Sequence, residues 1–118
     1  GGAIVNIVDQ GAYAPWPRRP QHGISKAALW MLTQVSALSL APSIRVNAVA
    51  PGPIMKPPGM SDAQWAGFGE QLPIGHVGTA QDVGEAVVFL MSQGYITGAL
   101  LHVNGGEHLT YPDYEIDY

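Results

Sequence analysis

The chain has 118 residues, of which 47% are apolar and 12% are charged, so its length suits one domain with an unusually large share of core material. Its net charge is -4 and its five basic residues are scattered, which excludes the broad positive surface needed to bind nucleic acid or an anionic membrane. The absence of cysteine excludes disulfides and thiolate metal sites, and without a basic-then-apolar leader the cytoplasm is the default location.

The first half of the chain predicts a strand, a loop, a helix and a second strand. Residues 3–8 are an apolar run typical of a strand buried on both faces of a parallel sheet. Residues 11–23, with three prolines, predict a loop, and residues 25–40 predict a helix that ends before Pro42. Polar residues interrupt this uncharged stretch, which favours a helix buried on two sides over a membrane span. Residues 44–50 predict the second strand.

The second half predicts two capped helices and a third strand. Residues 61–64 and 79–82 each have the spacing of a capping box, in which the first and fourth side chains bond each other's backbone N–H groups. The first box opens a short helix. The second precedes a helix over residues 83–91, after which Gly94 suits a left-handed cap. Residues 100–103 predict the last strand.

The alternation of strands and helices predicts an α/β fold with three parallel strands and helices on the faces of the sheet. The first strand has neither a charge nor a proline to protect an exposed edge, so we expect further strands to pair with it. The chain also starts without methionine, directly before this strand. We therefore expect it to form part of a larger sheet.

Several motifs in a fixed order resemble the second half of short-chain dehydrogenases/reductases. They are IVNI at residues 4–7, SKAAL at 25–29, LAP at 40–42, IRVNAVAPG at 44–52, YITG at 95–98 and VNGG at 103–106. The resemblance covers residues 1–108 and leaves residues 109–118 as an acidic, aromatic tail. It implies that the chain is the C-terminal half of a Rossmann-like, doubly wound parallel sheet.

The resemblance also implies a cofactor and partners. The cofactor would be NAD or NADP, and its phosphates would bind a glycine-rich turn in an N-terminal half, which is either a missing segment or a second chain. Within this chain, the loop formed by Pro51, Gly52, Pro53 and Ile54 would bind the nicotinamide end of the cofactor. Family members form dimers and tetramers, so we expect a homo-oligomer that buries the helix over residues 25–40.

In this family a tyrosine four residues before a lysine acts as general acid/base, and a serine thirteen residues before the tyrosine polarises the substrate carbonyl. Lys26 matches the lysine, which holds the nicotinamide ribose, whereas His22 stands at the tyrosine position and Asp9 at the serine position. Aspartate there is similar to pteridine reductases, which reduce C=N bonds in pterins and use it for proton delivery. The resemblance thus implies these three catalytic residues and a pterin-like or small carbonyl substrate.

A physical argument connects the two substitutions. A carboxylate next to an imidazole stabilises the protonated ring, so Asp9 and His22 together could act as an acid that releases its proton near neutral pH, unlike an unperturbed phenol at ~10. Two alternatives remain open from the sequence. Either the site has lost its activity and the fold serves as a binding or assembly module, or the chain has a role that needs no cofactor.

The remaining aromatic and histidine residues give weaker indications. Trp65 and Phe68 lie at helical spacing and either cover a flat substrate ring or anchor a lid. Tyr13 is too far from Lys26 to replace the family's tyrosine, and we expect it to pack with Trp16 in the loop. The three other histidines lack the spacing of metal ligands, so no metal site is predicted.

Overall fold

The computed structural model describes residues 1–14 and 17–110, so Trp16 and the greater part of the expected tail, residues 111–118, lie outside the described residues. The strands β1 (Gly2–Ile7), β2 (Ile44–Pro51) and β3 (Leu100–Val103) form one parallel sheet in the order β1-β2-β3. The helices are α1 (Pro20–Ser39), α2 (Asp62–Glu70) and α3 (Ala80–Ser92), with short 3₁₀ turns at Gln10–Ala12 and Glu107–Leu109. The predicted α/β fold with three parallel strands is confirmed.

The central strand β2 forms the buried middle of the sheet. Its Ala48 and Ala50 join a core with Val8 and Ala12, against which Leu29 and Trp30 of α1 pack. Arg45 lies on the other face of the strand and donates to the carbonyl groups of Leu90 and Met91 at the end of α3. Helices α1 and α3 therefore contact opposite faces of β2.

The prediction that β1 is buried on both faces is wrong for the described residues. Within them β1 pairs with β2 alone, and Ile4 and Ile7 are exposed. The physical reason is that β1 is the edge strand of the described sheet, where no further strand of the described chain lies beside it. This edge position agrees with the unprotected apolar sequence of the strand, and further strands that pair with it stay a prediction.

Helix α1 begins at Pro20, earlier than the predicted start at residue 25. Proline suits the first helical turn because its ring fixes a helical φ and its missing N–H has no partner there anyway. Gly23 lets this turn approach the preceding 3₁₀ turn, since a Cβ at Gly23 would lie 3.3 Å from the carbonyl oxygen of Gly11. The predicted loop over residues 11–23 is thus partly helical, and His22 belongs to the first turn of α1.

The capping boxes are confirmed, but the predicted left-handed cap at Gly94 is wrong. Ser61 with Gln64 caps α2, and Thr79 with Asp82 caps α3. Helix α3 instead ends through Gln93, whose backbone is extended and whose side chain accepts a hydrogen bond from the N–H of Tyr95. A chain that leaves the helix in an extended conformation needs no left-handed glycine.

Much apolar surface of α1 remains uncovered. Thr33 and Ala37 are its buried residues, whereas several large side chains are exposed, namely Ile24, Met31, Leu32, Val35 and Leu38. Such a continuous apolar face is typical of a protein interface. In the described part of the chain, α1 and the other helices are all too short or too polar to cross a bilayer.

If a second copy of the chain covers α1 as expected, glutamate at Leu32 or Leu38 should reduce the size of the assembly or its solubility, because the charge would have to be buried in that contact. Leu38 is 84% exposed in the single chain, so the change should not disturb its own core. Light scattering coupled to gel filtration measures the effect, and Gln71→Glu, which adds the same charge at an exposed position after α2, is the control. Unchanged assembly in both leucine variants would contradict this assignment.

Candidate active site

Asp9 lies directly after β1, at the carboxyl edge of the sheet. The N–H of Val8 donates to the carbonyl of Val49 over 2.8 Å, which extends the pairing of β1 with β2 to Val8, the residue before Asp9. Asp9 then caps the 3₁₀ turn Gln10–Ala12, because its Oδ1 accepts a hydrogen bond of 2.9 Å from the N–H of Gly11. One carboxylate oxygen is therefore fixed by the backbone.

The other carboxylate oxygen contacts His22. Oδ2 of Asp9 lies 2.5 Å from Nε2 of His22, and the two side chains are 24% and 36% exposed. Because an ionised carboxylate can only accept a hydrogen bond, Nε2 of His22 is the donor in this contact. Both oxygens of Asp9 thus accept hydrogen bonds, so the carboxylate is held between the backbone of the 3₁₀ turn and the first turn of α1.

Lys26 follows His22 by one helical turn and reaches the same edge of the sheet. Its Nζ donates to the carbonyl of Ile7 over 3.3 Å, at the last residue of β1. An ammonium group has three donors, so this bond leaves others for the hydroxyl groups of a ribose. The donor set of Lys26 therefore fits the cofactor role implied by the sequence.

The loop after β2 lies beside the end of β3. The N–H of Gly52 donates to the carbonyl of Val103 over 3.0 Å, and the carbonyl of Pro53 accepts a bond of 3.0 Å from the N–H of Gly78. A Cβ at Gly52 would lie 2.5 Å from Cβ of Asn104, so no larger residue fits there without movement. Pro51, Gly52, Pro53 and Ile54 are thereby held at the carboxyl edge of a parallel sheet, where ligands of open α/β folds bind.

Trp65 and Phe68 lie on one side of α2, as their spacing predicts. Their rings are stacked, with centroids 5.9 Å apart and an angle of 4° between the planes. Their role in substrate binding stays a prediction.

Tyr13 forms a cluster that the sequence did not predict. Its hydroxyl lies 3.2 Å from Nδ1 of His102, and the rings meet edge to face at 5.4 Å. The His102 ring is stacked on His108 at 3.9 Å, and Nδ1 of His108 lies 3.1 Å from Oδ1 of Asn104. The expected partner Trp16 lies outside the described residues. Tyr13 and His102 are 89 residues apart in sequence, so only the meeting of strand ends at one edge could have suggested this contact.

The environment of Tyr13 and His102 keeps these two side chains neutral. Burial, followed by the negative charges of Glu107 and Asp9, raises the pKa of the Tyr13 hydroxyl to about 12. Burial, followed by the charge of His108, lowers the pKa of His102. At neutral pH the Tyr13 hydroxyl therefore keeps its proton and the His102 ring is uncharged.

A cavity of about 310 Å³ lies at the ends of β2 and β3, next to the loop after β2. Its walls include Pro53, Ile54, His102 and Asn104. Within residues 1–14 and 17–110, no group of three or more histidine or acidic side chains could hold a metal ion. The cavity therefore connects the loop implied in cofactor binding with the Tyr13 cluster through His102.

Comparison with known proteins identifies the family. The family model described as enoyl-(acyl carrier protein) reductase matches residues 1–108. The 3beta-hydroxysteroid dehydrogenase 1 of Eggerthella lenta is 38% identical over 121 residues, which cover 97% of this chain and 46% of that protein. The chain belongs to the short-chain dehydrogenase/reductase family.

Solved structures of the family agree with this assignment. The ligand-free aldohexose dehydrogenase of Thermoplasma acidophilum is 31% identical, has a TM-score of 0.83, and is matched over 98% of this chain and 51% of its own. The acetoin dehydrogenase of Salmonella typhimurium is 37% identical, with a TM-score of 0.81 and coverage of 98% and 47%. The chain thus spans about half the length of these relatives, and the predicted Rossmann-like fold class is confirmed.

The predicted boundary between the family domain, residues 1–108, and a tail, residues 109–118, stays a prediction. The 3₁₀ turn Glu107–Leu109 spans this boundary in the structure. The family match ends at residue 108.

Alanine at Gly52 should destabilise the protein by ~1–3 kcal/mol, because its Cβ would overlap Asn104 and move the loop that follows β2. Alanine at Gly84, an open position within α3, should instead stabilise it by about 0.5–1 kcal/mol, because alanine is the better helix former. Chemical denaturation of both variants measures these opposite changes. Equal free energies of unfolding for the two would contradict the close approach at Gly52.

Proposed function

We propose that this chain forms the catalytic half of an NAD(P)-dependent oxidoreductase that reduces a C=O or C=N bond by hydride transfer. The observation that carries the proposal is the 2.5 Å contact between Asp9 and His22, one helical turn before Lys26. A paired carboxylate and imidazole can store and release a proton near neutral pH. The family membership supplies the class of reaction.

In the proposed reaction, Asp9 orients His22 and stabilises its protonated ring. A bound nicotinamide would supply the hydride, which adds to the carbon of the C=X bond, while the proton that completes the reduced product comes from the Asp9–His22 pair. The pair then recovers a proton from water, since the His22 side chain is 36% exposed. Oxidation of the product runs through the same groups in reverse.

The cofactor site would be shared between two halves. Lys26 and the loop of Pro51, Gly52, Pro53 and Ile54 would hold the nicotinamide end of NAD or NADP. The phosphates and the adenosine would bind an N-terminal half, present as a further segment or as a second chain. We call this chain combined with that N-terminal half the complete enzyme. Coverage of about half of each relative supports this division.

Two substrate classes are compatible with the site. Asp9 at the serine position supports a pterin-like substrate with a C=N bond, as in the resemblance to pteridine reductases. The relatives named as hydroxysteroid and acetoin dehydrogenases support a small carbonyl or its alcohol. In either case we propose that Trp65 and Phe68 cover the substrate and that α1 is buried in a homodimer or homotetramer. The cytoplasm stays the expected location.

Asp9→Asn should lower hydride transfer by the complete enzyme on the order of a hundredfold, because the new amide N–H would face His22 and hold its ring neutral. Affinity for the cofactor should stay close to that of the parent. The rate is measured by stopped-flow oxidation of NADPH with two substrates, a pterin and diacetyl, the diketone that is reduced to acetoin. Fluorescence titration measures cofactor binding. Asp62→Asn, which changes an exposed carboxylate that contacts Lys56, is the matched control.

Two further variants separate the role of Lys26 in cofactor binding from the role of His22 in proton transfer. Lys26→Met should weaken cofactor binding and the rate together, whereas His22→Tyr restores the family's phenol and should raise activity on simple carbonyls. Unchanged turnover in both Asp9→Ala and His22→Ala would show that neither residue carries the chemistry. A stable complete protein that binds no NADPH and transfers no hydride would favour the binding or assembly module.

A further inference from the structure

The hydroxyl of Tyr13 is a second polar group near the Asp9–His22 pair. Asp9 caps the start of the 3₁₀ turn Gln10–Ala12 and Tyr13 caps its end, so one turn of backbone fixes both side chains relative to each other. Tyr13 is 43% exposed, which leaves it accessible to a ligand. The proposed reaction mechanism does not use this phenol.

We propose that Tyr13, held by His102, recognises an uncharged hydrogen-bonding group of the substrate and disfavours anionic substrates. This inference rests on the proposed function, because it assigns the substrate class of that same site. The recognised group is a hydroxyl, carbonyl or amide-like group remote from the reacting bond. Tyr13 is a recognition residue in this proposal and takes no part in proton transfer.

The geometry of the cluster prepares Tyr13 for this role. The His102 ring holds the phenol edge to face and accepts or donates at its hydroxyl over 3.2 Å. His102 is itself stacked on His108, whose Nδ1 contacts Oδ1 of Asn104. A hydroxyl fixed in this way loses little conformational entropy when it binds a ligand.

The neutral Tyr13–His102 pair can match either a donor or an acceptor. With the ring proton of His102 on Nε2, Nδ1 accepts the phenol proton and the phenol oxygen can accept from a substrate hydroxyl. With the proton on Nδ1, the ring donates to the phenol oxygen and the phenol can donate to a substrate carbonyl. Both states carry no net charge, since the pKa of Tyr13 is raised and that of His102 is lowered.

The charges around Tyr13 select against anions. The carboxylates of Glu107 and Asp9 both raise the pKa of the phenol, which means that both act on a negative charge formed at its oxygen. An anionic group bound to the same hydroxyl would experience the same repulsion.

The test uses the complete enzyme with oxidised cofactor and two probes that share a cyclohexanone ring, neutral 4-hydroxycyclohexanone and anionic 4-oxocyclohexanecarboxylate. We expect the neutral probe to bind at least about tenfold more tightly. Tyr13→Phe should weaken the neutral probe about threefold to tenfold, the usual effect of one lost hydrogen bond, and leave the anion unchanged. The kcat value and the pH profile of turnover should stay within about twofold of the parent, because the Asp9–His22 pair is intact.

Three comparisons keep the proposal open to refutation. Tyr95→Phe removes the hydroxyl of a tyrosine that is 98% exposed before β3, and it should behave like the parent. His102→Asn retains a group able to bond the phenol and should keep most of the preference, whereas His102→Leu should lose it. Binding of the neutral probe should also shift the ¹⁵N resonance of His102 Nδ1.

The outcomes distinguish this inference from the proposed function. Equal or tighter binding of the anion, no effect of Tyr13→Phe, or no shift of His102 with the neutral probe would each overturn the role of Tyr13. If the neutral probe binds with the expected preference but no hydride is transferred, the catalytic proposal fails and the recognition by Tyr13 stands. If Asp9→Asn abolishes turnover while Tyr13→Phe changes nothing, the catalytic proposal stands and the recognition by Tyr13 fails.

Discussion

The close approach of two backbone turns determines the geometry of this site. The first turn of α1 lies against the 3₁₀ turn that follows β1, and the missing side chain of Gly23 leaves room for the contact, since a Cβ there would lie 3.3 Å from the carbonyl oxygen of Gly11. A side chain at position 23 would press on that carbonyl and shift the turn that carries Asp9 relative to the turn that carries His22. The 2.5 Å contact between Asp9 and His22 therefore depends on packing at Gly23, a residue with no chemistry of its own.

This contact also changes how the substitution of the family's tyrosine is understood. A phenol next to lysine releases its proton because the ammonium favours the phenolate, whereas an imidazolium next to the same ammonium is disfavoured by like charge. One oxygen of Asp9 contacts His22, and the other is occupied by the N–H of Gly11. In the proposed reaction this geometry suits Asp9 to orienting His22 rather than to protonating the substrate itself.

The parts that could be predicted from the sequence are those set by local patterns. The three strands, both capping boxes and the pairing of Trp65 with Phe68 follow from periodicity and short-range spacing. The early start of α1 was missed because the prolines around residue 20 also suit a loop, and only packing decides between the two. The contact of Tyr13 with His102 had no sequence signal, because nothing in the spacing of two strands reports which side chains meet beyond their ends.

The two proposals divide the chemistry of the site between two polar groups. In the proposed reaction the Asp9–His22 pair exchanges the proton, whereas burial and nearby charges keep Tyr13 and His102 neutral. A site that must both protonate and recognise a substrate gains from this separation, because a recognition group that titrated in the same range would change its hydrogen bonding with pH. In these proposals the carboxylate of Asp9 contacts His22 directly, and it acts on the Tyr13 hydroxyl through its negative charge. Loss of that one charge should therefore alter proton transfer and substrate charge preference together.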